Sequence, residues 1–387
     1  MSGRIGLLVS GSIAALAIAG VALAQNVPAQ YVVSGKAAEQ IQDFTTVNLA
    51  TAEKLTEACE KEATTQGVQV SIYVLDNDGN HVYMDRMDGQ GYIQIATAEM
   101  KARTALMGRE ASKNRMNRVV QDPNAEFEDI QLGYFPNSGG LPLLVNKQLI
   151  GVIGVGGSAP HPPMWSDEIC AHRALIQIMG PTTAPLVEDL PPHRNAPPAN
   201  PLPVPRFDVG AMPKTSLPAD WVVGGKGAQA VLDGNQISLA AAKKIAKTCR
   251  DWAQARNSSM SLYILDTAGE FVHMERMDGQ VFNNMRSALL KAQSALKTRQ
   301  PTSIRAAQLS NDPSGLPRSV FWYQFYSESG GIPIVVDGQM IGSIGVGGVA
   351  GGGDEACAVE GLKAAFGDRV TLPVYPAVGA GRGRGAG

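Results

Sequence analysis

Residues 71–90 read SIYVLDNDGNHVYMDRMDGQ, and residues 261–280 read SLYILDTAGEFVHMERMDGQ. Tyr73-Val74-Leu75-Asp76 returns as Tyr263-Ile264-Leu265-Asp266, and Arg86-Met87-Asp88-Gly89-Gln90 as Arg276-Met277-Asp278-Gly279-Gln280, always 190 positions on. In the first stretch two strand-like runs flank the turn Asn77-Asp78-Gly79-Asn80, which predicts strands over 68–76 and 81–86. Working outward, Lys101-Ala102 and Asp122-Pro123 recur at the same spacing, as Lys291-Ala292 and Asp312-Pro313. Ser138-Gly139-Gly140 and Gly154-Val155-Gly156-Gly157 recur at 191, and Asp167-Glu168 with Cys170 at 187, as Asp354-Glu355 with Cys357. Drift this small over a whole domain is the mark of a duplication.

Each copy carries the same predicted order of elements. An opening helix puts Leu49, Ala52, Leu55, Cys59 and Ala63 on one face, as it does Leu239, Ala242, Ile245, Cys249 and Trp252 in the second copy. The strand pair follows, then a helix from about Ile93 to Gly108 and a short helix at Ser112 (Thr302 in the second copy), residues suited to N-capping. After an irregular stretch come strands near 141–145 and 149–155, turned at Asn146-Lys147, and a last helix from Asp167. The expectation is an α/β sandwich around an antiparallel sheet of about five strands per copy. Copy 1 is placed at 41–180 and copy 2 at 236–370, with a tail at 371–387 containing Arg382 and Arg384. The intervening 181–235 is dense in proline, which blocks helix and central strand and predicts a semi-rigid spacer.

The first residues predict export. Arg4 precedes an apolar run from Ile5 to Val21, and Ala22-Leu23-Ala24 before Gln25 suits a signal peptidase, so residues 1–24 read as a leader and the mature chain as periplasmic or secreted. An uncleaved anchor is the rival reading, and no later segment is long and apolar enough to span a bilayer. A net charge of -2 and a pI near 6.2 give no electrostatic footprint for nucleic acid. No Ser-His-Asp signature, phosphate loop, dinucleotide fingerprint or covalent haem-attachment motif is present.

The repeated Arg-Met-Asp-Gly, Lys-Ala-Arg-Thr-Ala at 101–105, Ser-Gly-Gly-Leu-Pro at 138–142, Ile-Gly-Val-Ile-Gly-Val-Gly-Gly at 150–157 and the Asp-Glu before the final helix resemble the GlcG/HbpS family. The same motifs are similar to the C-terminal domain of PduO-type proteins. The resemblance covers both copies. It implies a profilin-like α/β fold, association into dimers and higher oligomers, and haem as a bound cofactor. It also implies that the opening and closing helices share one face of the sheet. Cys59 with Cys170, and Cys249 with Cys357, then become the expected disulfides in an oxidising compartment, against the alternative of four buried thiols. The second copy departs at Gln293-Ser294, where the first has Arg103-Thr104, which predicts two unequal sites.

Arg86, Asp88, Lys101 and Thr104, with Arg276, Asp278 and Lys291, are the candidate ligand-binding residues, because a strand end, a glycine turn and a helix gather cations and a carboxylate. The loops Ser138-Gly139-Gly140 and Ser329-Gly330-Gly331 could offer backbone N–H groups to an anion. Such a set suits a haem propionate or a small organic acid. The plainer alternative is that Arg86 and Asp88 pair with each other and cap the turn at Gly89. Tyr83 and its counterpart His273 are residue types that can ligate haem iron. Glu168 and His172, with His161 nearby, have a spacing open to a metal, but the second copy lacks the histidine and no metal is expected. The leading expectation is thus an exported haem or small-ligand binder whose copies form an internal pseudo-dimer. The competing one is an enzyme on a small carboxylate, with Lys101 or Asp88 as acid or base and Arg86 holding the carboxylate; a ligand-free accessory module is a third.

Overall fold

The computed structural model describes residues 28, 30–33, 45–122, 124–157, 165–181, 186–187, 217–218, 220–222, 236–311, 324–326 and 328–373. The predicted leader, most of the predicted proline-rich spacer and the end of the tail lie outside the described residues. Copy 1 runs α1 (Leu49–Thr65), β1 (Ser71–Asp76), β2 (His81–Arg86), α2 (Tyr92–Gly108), α3 (Ser112–Gln121), α4 (Ala125–Leu132), β3 (Gly140–Val145), β4 (Gln148–Gly156) and α5 (Asp167–Met179). Copy 2 runs α6 (Leu239–Gln254), β5 (Ser261–Leu265), β6 (Phe271–Arg276), α7 (Phe282–Thr298), α8 (Thr302–Asn311), β7 (Gly331–Val336), β8 (Gln339–Gly347) and α9 (Asp354–Phe366).

The strands form one antiparallel sheet of eight, in the order β3-β4-β1-β2-β6-β5-β8-β7. Each copy thus contributes four strands among the described residues, where the sequence predicts about five. The remaining pairing is by isolated bridges, Val32 with Val47, Val222 with Ile237, and Val336 of β7 with Val370. At Val47 and Ile237 it stops because Asn48 and Ser238 cap α1 and α6 directly afterwards, their side chains accepting from the N–H groups of Thr51 and Ala241. The segment read as irregular contains α4, whose apolar Phe127, Ile130 and Leu132 face outward and so give no core-facing periodicity.

Side chains alternate across the sheet, as a period of two requires. Ile72 and Val74 enter a core shared with α1, α5, α6 and α9, whereas Tyr73 and Leu75 enter a second core beneath α2 and α7. Both cores run through both copies. The helices α2 and α7 sit unusually close to the sheet. A Cβ on Gly154 would lie 2.2 Å from the Ala98 carbonyl oxygen, and one on Gly345 2.1 Å from that of Ala288. The glycine runs are therefore seats for a helix backbone, lined on the helix side by Ala98, Ala102 and Ala105.

On the opposite face, disulfides Cys59–Cys170 and Cys249–Cys357 tie α1 to α5 and α6 to α9, each within one copy. These are the pairs expected from the sequence. Ser112 and Thr302 begin their helices as expected, but their hydroxyls accept from Gly140 and Gly331 N–H, at 2.9 Å each, and so pin the helices to β3 and β7. The outer strands β3 and β7 carry Pro142 and Pro333, which lack an N–H for pairing, and β7 is also covered by the segment at Val370 through its bridge to Val336. The inner edges β2 and β6 pair with each other.

Candidate functional site

The β2–β6 register sets Met84 opposite Met274, Tyr83 opposite Glu275 and Asp85 opposite His273. Met84 and Met274 are equivalent in the duplication, so a pseudo-two-fold axis passes between them and relates the contacts of the repeated motif. Arg86 Nη1 reaches Asp266 Oδ2 at 2.8 Å, and Arg276 Nη2 reaches Asp76 Oδ2 at 2.7 Å. The same aspartates hold their own turns: Asp76 Oδ1 accepts from Asp78 and Asn80 N–H, and Asp266 Oδ1 from Ala268 and Glu270 N–H. Asp88 Oδ1 accepts from Leu239 N–H at 2.8 Å and Asp278 Oδ1 from Leu49 N–H at 2.9 Å, each carboxylate at the first turn of the other copy's opening helix. Burial raises the pKa of both aspartates, opposed by these bonds and the neighbouring arginine.

The Arg-Met-Asp-Gly motif is therefore a reciprocal clasp between copies. Its arginine and aspartate do not pair with each other across the Gly89 turn. Both reach into the other copy. The methionines serve locally, Met87 and Met277 Sδ accepting from Val70 and Met260 N–H.

Lys101 stands apart from the clasp. Its Nζ donates to Asp167 Oδ2 at 2.7 Å and Val155 carbonyl at 3.1 Å, and Lys291 reaches Asp354 Oδ2 at 2.7 Å. Gly139 and Gly140 lie against this lysine: a Cβ on Gly140 would be 2.0 Å from the Lys101 carbonyl oxygen. The sequence-predicted set thus divides. Lys101 and the Ser138-Gly139-Gly140 loop come together around Asp167, as do Lys291 and Ser329-Gly330-Gly331 around Asp354, while the arginines and aspartates of the clasp face the junction. Gly140 and Gly331 N–H are spent on the hydroxyls of α3 and α8. Thr104 and Ser294 keep one role despite the divergence, accepting from Phe135 N–H at 2.8 Å and Tyr326 N–H at 2.7 Å.

Tyr83 and His273 stand inside the junction, 2% and 0% exposed, with rings edge to face at 5.2 Å. His273 Nδ1 is 2.5 Å from Asp85 Oδ1, and its Nε2 is turned towards Glu275 at 3.7 Å. Burial alone would lower the His273 pKa, but Asp85 and Glu275 outweigh it and hold the ring cationic to about 9. A cationic imidazole offers no lone pair, and neither side chain has an open face for a porphyrin. They do not fit an axial role. His81 is also engaged, 3.0 Å from the Tyr263 hydroxyl and 3.0 Å from Glu99. Glu168 accepts from Val187 N–H, His161 lies outside the described residues, and no metal-ligand group of three or more is found among the described residues.

Sequence reasoning missed an open cleft of about 580 Å³ beside the junction, lined among the described residues by Tyr92, Gln236, Thr267, Ala268, Leu296, Arg299, Gly338 and Met340. Gln236 Nε2 donates to the Tyr92 hydroxyl at 2.5 Å across the two copies. Arg299 ends α7 in the left-handed conformation (φ 54°) and is exposed at the rim. At the positions related to this lining by the duplication, Phe282, Thr46 and Asp78 stand in place of Tyr92, Gln236 and Ala268, and Arg299 has its counterpart in Arg109. The two sides differ in these residues, and the Arg299 side lacks the aspartate.

A family model described as "Haem degrading protein HbpS-like" matches residues 47–175 and 237–363. The chain belongs to this family. Its two HbpS-like copies include every strand of the sheet. An uncharacterized 15.0 kDa protein from the dhaT-dhaS intergenic region of Citrobacter freundii is 32% identical over 138 residues, 35% of this chain and 93% of that protein. Protein GlcG of Escherichia coli is 34% identical over 98 residues, 25% of this chain and 72% of GlcG. Among solved structures, the PduOC:Heme complex matches at 23% identity with a TM-score of 0.31, covering 36% of this HbpS-like chain and 97% of that one.

Proposed function

We propose that the chain is an exported binder of haem, or of a small ligand with the same carboxylate-bearing chemistry, and that its principal site is the cleft rimmed by Arg299. The observation that carries this reading is the make-up of that cleft. Arg299 supplies a cation for a propionate, Leu296 and Met340 an apolar wall, and Tyr92 with Gln236 a polar edge. Membership of a family described by haem degradation supports haem as the ligand class. Haem brings iron chemistry when bound, and the Met340 thioether and Tyr92 phenol are donor types that iron accepts. The leader at 1–24 and the two disulfides support export to an oxidising compartment. Acid–base catalysis by Lys101 or Asp88 is not favoured, because each is committed to a buried bond within the fold.

Adding haemin at micromolar concentration to the mature chain is expected to shift and sharpen the Soret band. Arg299→Ala is expected to weaken binding roughly tenfold, the loss of one charge-assisted contact. Tyr83→Phe, inside the junction, is expected to leave the spectrum unchanged. No Soret change in the unsubstituted protein would overturn the haem reading.

A further inference from the structure

We propose that the junction between the copies is a charge-differentiated lock, in which copy 1 supplies acids and copy 2 supplies bases, so that each copy is built to pair with the other and not with its own kind. The observation is a set of positions related by the pseudo-two-fold axis where the duplicates have diverged to opposite or unlike chemistry. Glu53 corresponds to Lys243, Glu60 to Arg250 and Tyr83 to His273, all at the spacing of 190, while Asp85 and Glu275 keep a carboxylate in both copies.

These residues meet across the axis. Lys243 Nζ lies 2.6 Å from Glu60 Oε2 and 2.8 Å from Asp85 Oδ2. Arg250 takes Glu53 in a fork at 2.9 and 3.3 Å and reaches Glu275 Oε2 at 3.0 Å. His273 closes the set on Asp85 at 2.5 Å. Asp85, His273 and Glu275 are essentially inaccessible to solvent, so these charges act where water screens little. Burial, then the Asp85 carboxylate, pushes the Glu60 pKa up to about 8, against the pull of Lys243. The carboxyl groups of Glu53, Glu60, Asp85 and Glu275 face three cations, Lys243, Arg250 and His273. The heterotypic junction is close to charge-balanced.

Homotypic junctions are not. Two copies of type 1 would bring together Glu53, Glu60 and Asp85 twice, six carboxylates with no cation at these positions. Two copies of type 2 would set paired Lys243, Arg250 and His273 against only two Glu275. Uncompensated like charges in a buried interface oppose association strongly. The Arg86–Asp266 and Arg276–Asp76 pairs contribute nothing to this choice, because both copies carry the same residues there. The clasp supplies adhesion and the diverged set supplies partner choice. Any contact between separate chains through these strand edges would accordingly join copy 1 of one chain to copy 2 of another.

The test is made in the full chain by exchanging residues across the axis. Lys243→Glu with Arg250→Glu makes copy 2 acidic on one side only, and is expected to lower the thermal midpoint by more than about 5 °C. The full exchange adds Glu53→Lys, Glu60→Arg, Tyr83→His, His273→Tyr, Asp85→Glu and Glu275→Asp. It rebuilds the same lock with the copies' roles reversed, and is expected to recover at least half of the lost midpoint. Where the one-sided variant is insoluble, a soluble exchange variant with a cooperative transition is the supporting result. An exchange variant as unstable as the one-sided variant, or a one-sided variant with an unchanged midpoint, overturns the proposal.

Discussion

Replacing Arg86 by methionine is expected to lower the stability of the folded chain by about 3–5 kcal/mol, read as a shift in the denaturant midpoint. Methionine fills most of the space, so the loss is mainly electrostatic. Asp266 is 0% exposed, and without Arg86 its Oδ2 keeps a buried charge with no cation at 2.8 Å. Breaking one side of a buried pair costs far more than the pair contributes, because desolvation of the remaining ion is no longer offset. Adding Asp266→Asn should restore part of the loss. Asparagine keeps an oxygen for the N–H groups of Ala268 and Glu270 while removing the charge. Arg276→Met should behave alike through Asp76, since the contact is repeated by the pseudo-two-fold axis. A loss below about 1 kcal/mol would place Arg86 outside any structural clasp.

Removing the disulfides is the second large effect. Cys59→Ala with Cys170→Ala, or Cys249→Ala with Cys357→Ala, is expected to cost about 2–5 kcal/mol per bridge. The bridges span 111 and 108 residues, and closing loops of that length restricts the unfolded chain most. All four cysteines are fully buried between paired helices, so each alanine also leaves a small unfilled space. Denaturation with and without reductant checks this, together with alkylation of the non-reduced protein. Four alkylatable thiols, or a midpoint indifferent to reductant, would count against the bridges.

Much of the fold is legible in the sequence because duplication repeats its signals. The strand pair, the opening helix faces and the matched cysteines each occur twice, and the disulfides join the expected partners. The helix α4 is less legible, since only Ala125 and Asp129 of its eight residues are buried. The role of Arg-Met-Asp-Gly is hidden for a different reason. In a duplicated chain the same two motifs can meet within a copy or between copies, and spacing alone does not distinguish Arg86 on Asp76 from Arg86 on Asp266. The β2–β6 pairing decides it, bringing Arg86 to the other copy's aspartate.

The charge lock, by contrast, leaves a trace that alignment of the copies can find: acids at 53 and 60 face bases at 243 and 250. The cleft leaves none. It is assembled from the start of α2, the bridge segment ahead of α6, the end of α7, two turns and the start of β8, which are close only once the eight-stranded sheet has formed. The duplicated positions differ from it by substitutions that each look minor, Phe282 for Tyr92 and Asp78 for Ala268.

Cutting the chain between its copies tests the central claim most directly. A protease site introduced within residues 188–216 would sever the backbone while leaving both disulfides intact, since each lies within one copy. The clasp, the shared cores and the charge lock predict that the cut halves co-elute at the size of the uncut chain at micromolar concentration and unfold in one transition. Separation into two half-sized species that unfold independently would contradict a single sheet built from both copies.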